Sequence, residues 1–99
     1  MEGKRIADIA DAFYVPIAPH NVSSPLGMMA ACHCIAAMTN FSVLEFHGRE
    51  IPWWEDLCQG DKPFIRSGTM RVSERPGVGV ELDDKVARSL VWGGDTYFD

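Results

Sequence analysis

A strand, helix, strand pattern in the first half of the chain limits its possible folds more than any other feature. Residues 15–18 and 41–46 are apolar runs, typical of buried strands and too short for helices. Between them, Ser24 is placed as an N-cap and Pro25 as the first residue of a helix reaching about residue 38. Because a helical crossover allows two strands to run parallel, the pattern predicts a βαβ unit and an α/β fold.

Another helix is predicted before this unit, over residues 2–13, because apolar residues recur there at helical spacing. Its predicted buried face comprises Ile6, Ile9, Ala10 and Phe13. The predicted buried face of the second helix comprises Leu26, Met29, Ala30, His33 and Ala37. Most of those side chains are small, so we expect this helix to lie close to a sheet.

The pattern becomes irregular after residue 48. It predicts a short aromatic helical turn at 51–57, an extended piece at 62–65, and short strands at 69–72 and 78–81 around a turn at 74–77. Asp83 or Asp84 is predicted to cap a final helix through Leu90, and residues 93–95 are expected to be mobile. Trp53 and Trp54 are predicted to anchor this segment to the rest of the protein.

Composition excludes several classes of partner. The 99 residues include nine Lys and Arg against fourteen Asp and Glu, a formal net charge of -5, so neither nucleic acid nor a membrane is an expected partner. No apolar run approaches the roughly 20 residues that span a bilayer, and the first residues do not resemble a signal peptide. We therefore expect a cytoplasmic protein.

Three cysteines, Cys32, Cys34 and Cys58, are an odd number, and two of them fall within the second helix, which argues against a disulfide framework. A small metal or thiol module built on Cys32, His33, Cys34 and His47 is a possible alternative function. Adjacent helix residues point in different directions, and structural zinc sites favour wider ligand spacing, so we expect His33 to be a packed helix residue.

Three stretches together are similar to one known family. They are residues 14–21, 40–46 and 75–82, with the sequences YVPIAPHN, NFSVLEF and RPGVGVEL. In this order and spacing they resemble the C-terminal part of the enolase superfamily, specifically the mandelate racemase/muconate lactonizing enzyme-like acid-sugar dehydratases of the gluconate and galactonate type. The resemblance implies that residues 1–48 form the end of a TIM-type (β/α) barrel, with its last two strands and helices. Residues 49–99 would then be an irregular β-rich segment that packs back toward a capping domain.

The resemblance also implies which residues form a site, because barrel enzymes place their chemistry at the carboxyl ends of the strands. His20 ends the first strand and matches the family's catalytic histidine, while Glu45 ends the second and matches a glutamate that hydrogen-bonds the substrate carboxylate. Asn21 and His47 lie beside them and are candidate substrate-binding residues, although an ordinary surface position is the alternative for His47. For Glu45 to donate a hydrogen bond it would have to be protonated, which requires a raised pKa.

The implied reaction is a Mg²⁺-dependent dehydration of a small sugar acid. A base removes the proton α to the carboxylate, water leaves, and a 2-keto-3-deoxy acid results. In the family, carboxylates on earlier strands hold the Mg²⁺, and no counterparts occur in this sequence, so we predict no metal ligands here and no activity of the 99-residue chain alone.

Two alternatives stay open at this stage. One is a racemase or epimerase of the same superfamily, which shares the proton abstraction. The other is a non-catalytic truncated barrel fragment that self-associates or binds the remainder of a barrel, since two parallel strands cut from a barrel expose both edges and an apolar face.

Overall fold

A computed structural model describes residues 2–93 and Tyr97. Its helices are α1 (Glu2–Asp11), α2 (Pro25–Ile35) and α3 (Asp84–Ser89), with a 3-10 turn at Glu55–Leu57. Its strands are β1 (Cys58–Gln59), β2 (Ile65–Arg66), β3 (Thr69–Met70) and β4 (Glu81–Leu82). Of the tail that the sequence predicts to be mobile, Gly94 and Asp95 lie outside the described residues.

The two predicted parallel strands pair over a short length only. Ile17 and Phe41 form a parallel bridge, in which the Ile17 N–H donates to the Asn40 carbonyl at 2.8 Å. The Ile17 carbonyl in turn accepts from the Ser42 N–H at 2.9 Å. The predicted parallel direction is therefore confirmed, but no regular strand forms in either segment.

Pro19 interrupts the parallel ladder just before the candidate site. A regular register would pair the Pro19 carbonyl with the N–H of Leu44, but the donor is the Glu45 N–H at 3.2 Å. Because proline has no N–H, the ladder cannot continue symmetrically through this residue. The second segment thus accommodates one extra residue, as in a β-bulge, and this reverses the side to which the following side chains point.

Helix α2 starts where the sequence predicts and ends earlier. The Ser24 hydroxyl accepts a hydrogen bond from the Gly27 N–H at 3.4 Å, and Pro25 opens the helix, so both predicted start residues are confirmed. The predicted buried face was wrong in part, because Ala30 and Ala37 are exposed. The buried residues are Pro25, Met28, Met29, Cys32 and Ile35, a stripe that the C-terminal half of the chain covers.

The predicted buried face of α1 was also wrong within this chain. Ala7 is its buried residue, whereas Ile6, Ile9 and Phe13 are 59%, 66% and 75% exposed. The spacing of these apolar residues is that of a helix that packs on another element, yet none of the described residues covers this face of α1. None of the helices among residues 2–93 has the length and hydrophobicity needed to cross a bilayer.

The short strands pair differently from the prediction. Strand β3 pairs with β2, with Ile65 opposite Met70, and β4 pairs with β1, with Cys58 opposite Leu82. Residues 69–72 and 78–81 therefore do not form a hairpin with each other. The reason is a tighter local turn at Ser67 and Gly68, where both φ angles are positive (49° and 76°), as a two-residue hairpin turn requires.

One apolar core joins the two halves of the chain. Its buried members are Met28 and Met29 of α2 and Trp54, Cys58 and Phe64 of the C-terminal half. The partly buried residues around them are Leu26, Leu44, Phe46, Ile65, Met70, Val78 and Val80. Residues 49–93 thus pack on α2, and packing of this segment toward a capping domain stays a prediction. The predicted cap of the last helix is confirmed, since Asp83 accepts from the Val86 N–H at 3.1 Å.

The two adjacent tryptophans have different environments. Trp54 is 3% exposed, and its ring meets the rings of Phe46 and Phe64 edge to face, with centroids 4.9 and 6.3 Å away. Trp53 is 41% exposed. Trp54 therefore joins the C-terminal segment to the core of this chain, whereas an anchoring role of Trp53 stays a prediction.

Replacing each tryptophan by alanine tests this difference. Trp54→Ala removes the largest side chain of the core and leaves a cavity, so we expect a loss of about 3–5 kcal/mol in the free energy of unfolding. The matched variant Trp53→Ala should change it by no more than about 0.5 kcal/mol. Denaturant-induced unfolding followed by far-UV circular dichroism measures both, and equal losses would contradict this view of the core.

Candidate active site

The backbone pairing brings the two predicted catalytic residues together. Since the segments run parallel, their carboxyl ends lie at the same edge, where His20 follows Pro19 and Glu45 is bonded to the Pro19 carbonyl. The His20 Nδ1 and the Glu45 Oε2 are in direct hydrogen-bond contact. Two residues 25 positions apart in sequence therefore form one polar pair.

His47 completes a cluster of three side chains. Its Nε2 lies 2.7 Å from the Glu45 Oε1, so the two carboxylate oxygens each meet a different imidazole. The rings of His20 and His47 are tilted by 55°, with centroids 5.9 Å apart. The sequence placed His47 near the site, and the structure brings it into direct contact with Glu45.

Asn21 shapes the loop that carries His20. Its Oδ1 accepts from the Ser23 N–H at 3.0 Å, an Asx turn that leads directly into the N-cap of α2. Its side chain is buried, and its amide nitrogen contacts the Met28 sulfur. The group that Asn21 presents to the cluster is its backbone N–H, which donates to the Glu45 Oε2 at 3.3 Å. The side chain is thus engaged within the loop, and a contact of Asn21 with substrate stays a prediction.

The C-terminal half of the chain also fixes the loop that carries His20. The Trp54 indole N–H donates to the Ser23 carbonyl at 3.1 Å, which links the core tryptophan to the turn between His20 and α2. Gly48, next to His47, allows this packing, because a Cβ there would lie only 2.6–2.7 Å from the rings of Phe46 and Trp54. Sequence analysis placed neither residue in the site.

Asn40 fixes the start of the pairing from the other side. Its side-chain amide donates to the carbonyls of Ala7 and Val15, at 3.0 and 2.9 Å, and so ties α1 to the first extended segment. Its own carbonyl accepts from Ile17. The sequence assigned Asn40 no role in the site, since the partners that define its role are distant along the chain.

The environment of Glu45 favours its ionised form. The hydrogen bond from His47 lowers the pKa of the Glu45 carboxyl the most, and desolvation opposes it as the next largest effect. The His20 side chain and the Asn21 N–H lower the pKa further, so the net shift is downward. The raised pKa that hydrogen-bond donation by Glu45 would require is therefore not found in this geometry. The carboxylate accepts hydrogen bonds from its neighbours and does not hold a proton to donate.

An ionised Glu45 fixes the tautomers of both histidines. A carboxylate only accepts hydrogen bonds, so the facing atoms, Nδ1 of His20 and Nε2 of His47, carry the protons. In the neutral ring of His20 the lone pair is then on Nε2, the nitrogen that points away from Glu45. This arrangement suits a proton acceptor whose orientation a carboxylate maintains.

The Cys32, His33, Cys34 and His47 module is not assembled. The Cys32 thiol contacts the Met70 sulfur at 3.0 Å, and the His33 Nε2 lies 3.2 Å from the Val78 carbonyl, so both face the C-terminal half. Burial raises the pKa of the Cys32 thiol, which disfavours the thiolate that a metal requires. His33 is a packed helix residue, as expected, and His47 belongs to the Glu45 cluster.

The pKa of Glu45 can be tested by removing each histidine in turn. Because both histidines lower this pKa, His47→Ala and His20→Ala should each raise the pKa of Glu45 toward the ordinary value of about 4.3. In the wild type, the stabilising effect of these contacts is present above that ordinary value and is lost as the pH falls through the lower pKa of the folded state. Carboxyl ¹³C NMR titration measures this, and a wild-type value at or above the ordinary one would contradict it.

Comparison with known proteins identifies the family of this chain. The sequence pattern of the family "Enolase C-terminal domain-like" matches residues 1–86. The chain is 44% identical over 98 residues to a D-xylonate dehydratase of Haloferax volcanii, covering 99% of this chain and 24% of that protein. It is 29% identical over 100 residues to a D-gluconate/D-galactonate dehydratase of Picrophilus torridus, covering 100% of this chain and 25% of that protein.

A solved structure is also similar along the whole chain. A mandelate racemase/muconate lactonizing enzyme-like protein from Rubrobacter xylanophilus matches with a TM-score of 0.93 and 46% identity, over 99% of this chain and 25% of that one. The chain thus spans about a quarter of the length of these relatives. The resemblance found in the sequence is confirmed, and the chain belongs to the enolase C-terminal domain-like family.

Proposed function

We propose that this chain is the C-terminal part of a sugar-acid dehydratase and supplies its His20–Glu45 pair. The observation that carries the proposal is the contact of His20 Nδ1 with the Glu45 carboxylate at the carboxyl edge of a parallel pair. The names of the relatives, dehydratases of D-xylonate and of D-gluconate/D-galactonate, support a small sugar acid as the substrate class.

In the proposed reaction, the Nε2 of His20 takes the proton from the carbon α to the substrate carboxylate. The electrons of that C–H bond form a double bond to the β-carbon, the β-hydroxyl leaves as water after gaining a proton, and the enol tautomerises to a 2-keto-3-deoxy acid. With a substrate of opposite configuration, a protonated His20 serves as the acid that assists the leaving hydroxyl. Glu45 acts through His20 by fixing its tautomer, so it is a positioning residue.

The cofactor implied by the family, Mg²⁺, does not fit the residues of this chain. Mg²⁺ prefers six oxygen ligands, whereas the group that the described residues bring together offers two imidazole nitrogens and one carboxylate. We propose that a Mg²⁺ ion of the intact enzyme is held by carboxylates outside these 99 residues. The isolated chain is accordingly proposed to be inactive.

The catalytic proposal is tested in the protein at its native length, recovered from its source cells through the C-terminal segment and weighed first. We expect a mass several-fold above that of 99 residues and dehydration of D-xylonate, D-gluconate or D-galactonate. His20→Gln should lower kcat by about 10²–10⁴-fold, the usual contribution of a general acid or base. His33→Gln is the matched control and should leave kcat unchanged.

Product analysis separates the dehydratase from a racemase or epimerase of the same superfamily. A dehydratase releases a 2-keto acid, which carbonyl reagents detect, whereas a racemase returns the proton to the same carbon and releases none. Exchange of the α-proton with deuterated water without any keto acid would overturn the dehydratase proposal.

The second candidate, a non-catalytic fragment that self-associates, has its own supporting observation. Large apolar side chains are exposed on α1, on the turn after it and on the second extended segment, among them Ile9, Phe13, Tyr14 and Val43. Exposed apolar surface, where it forms a patch, typically marks an interface with another protein or with another part of the same protein. A native mass matching 99 residues would favour this candidate.

The surface can be tested in the isolated 99-residue chain. We expect sedimentation velocity to show oligomers that dissociate on dilution, because association removes the exposed apolar area from water. The double variant Ile9→Lys, Phe13→Lys should shift the distribution to monomer. Trp92→Lys, which replaces another exposed apolar residue outside this surface, is the control and should leave it unchanged. A wild-type chain that is monomeric at all concentrations would contradict the expectation.

A further inference from the structure

The His20, Glu45 and His47 side chains could together bind a metal ion, which their proposed role in proton transfer does not require. Each offers one ligand atom, and those atoms lie within 4.8 Å of one another. We propose that this cluster is a binding site for a borderline divalent transition-metal ion, with Zn²⁺ as the representative, distinct from any Mg²⁺ site. The inference does not require His20 to be catalytic, because it depends only on the donor atoms and their positions.

The donor set selects the class of ion. Two imidazole nitrogens and one carboxylate oxygen are ligands that Zn²⁺ and its neighbours accept, whereas Mg²⁺ prefers an oxygen-only octahedron. Three protein ligands with a fourth position open to water are typical of accessible zinc sites. Cysteine thiolates are not needed, and the thiol of the buried Cys32 contacts the Met70 sulfur.

Zinc binding requires the three donor atoms to adopt the spacing of a coordination centre. In a tetrahedral zinc centre with bonds of about 2.0–2.1 Å, donor atoms lie roughly 3.3 Å apart. The His47 Nε2 and the Glu45 Oε1 are 2.7 Å apart and would have to separate slightly, while all donor atoms of the cluster lie within 4.8 Å of one another. Rotation of the exposed side chains is the movement that would bring the donor atoms to that spacing.

The site is open to solvent and its backbone is fixed. The side chains of His20, Glu45 and His47 are 72%, 41% and 53% exposed, so an ion enters without local unfolding. The loop before α2 is held by the Trp54 indole, and the Glu45 backbone N–H is bonded to Pro19. The ligand-bearing segments are therefore positioned before the ion binds, although the exposed side chains must lose some rotamer freedom.

Binding would also have a functional consequence. An ion bound by Glu45 and His20 replaces the proton on the His20 Nδ1 that the proposed mechanism uses to fix its tautomer. Under the proposed function, Zn²⁺ would therefore inhibit the enzyme, even though the enzyme uses a different divalent ion. The direct test below measures binding and does not depend on activity.

The experiment is equilibrium dialysis of the native-length protein against Zn²⁺ in the presence of excess Mg²⁺, with Co²⁺ as a spectroscopic probe. We expect one equivalent of Zn²⁺ that Mg²⁺ does not displace, and visible absorption of four-coordinate Co²⁺ at the same site. His47→Gln and Glu45→Gln should each weaken binding at least about tenfold, since even the loss of a residue that only hydrogen-bonds a metal ligand costs about 10–100-fold in metal affinity. Far-UV circular dichroism verifies that both variants are folded.

His33→Gln is the matched control, because it removes a histidine outside the cluster, and it should bind Zn²⁺ as the wild type does. Unchanged binding in both His47→Gln and Glu45→Gln would overturn the proposal, as would equal weakening in His33→Gln. Displacement of the ion by Mg²⁺ would overturn the proposed selectivity. Inhibition of turnover by Zn²⁺ that persists in His47→Gln would place the inhibitory ion elsewhere.

Discussion

The hydrogen bond from the Glu45 N–H to the Pro19 carbonyl is the contact on which the candidate site depends. It sets the register of the two parallel segments at their carboxyl ends. The register is shifted by one residue from that of a regular parallel ladder, because Pro19 has no N–H to donate to the other segment. That extra residue determines the direction in which the Glu45 side chain points. The meeting of Glu45 with His20 and His47 follows from this backbone arrangement, which is why all three side chains can be well exposed and still close together.

Irregular structure in the C-terminal half supports the N-terminal half. Its four strands among the described residues are each two residues long and give little stability through hydrogen bonding alone. What it contributes is Trp54, which lies in the shared core and donates to the loop between His20 and α2. Removing the C-terminal half is therefore expected to free the loop between His20 and α2 and to expose α2. The two halves differ in sequence pattern on either side of residue 48, but they share one core.

Glu45 links the electrostatics of the site to its possible ligands. Its carboxylate accepts hydrogen bonds from the His20 and His47 rings and from the Asn21 N–H. These contacts favour the ionised carboxylate, which in turn orients both rings. The same three side chains suit a proton relay when protons occupy the contacts and a transition-metal site when an ion replaces them. Membership of the enolase C-terminal domain-like family favours the first use, and the donor chemistry of the cluster supports the second.

The sequence by itself determined the local and periodic features. The start of α2 at Ser24 and Pro25, the cap at Asp83 and the parallel direction of the two extended segments follow from residue types and spacing. That His20 and Glu45 belong to one site followed from the family resemblance. The tertiary structure alone decided which faces are buried, which short strands pair, and the direction in which the pKa of Glu45 shifts. Those properties depend on partners distant in sequence, such as Ser23 for Trp54 and His20 for Glu45, and no local pattern encodes a distance between two such groups.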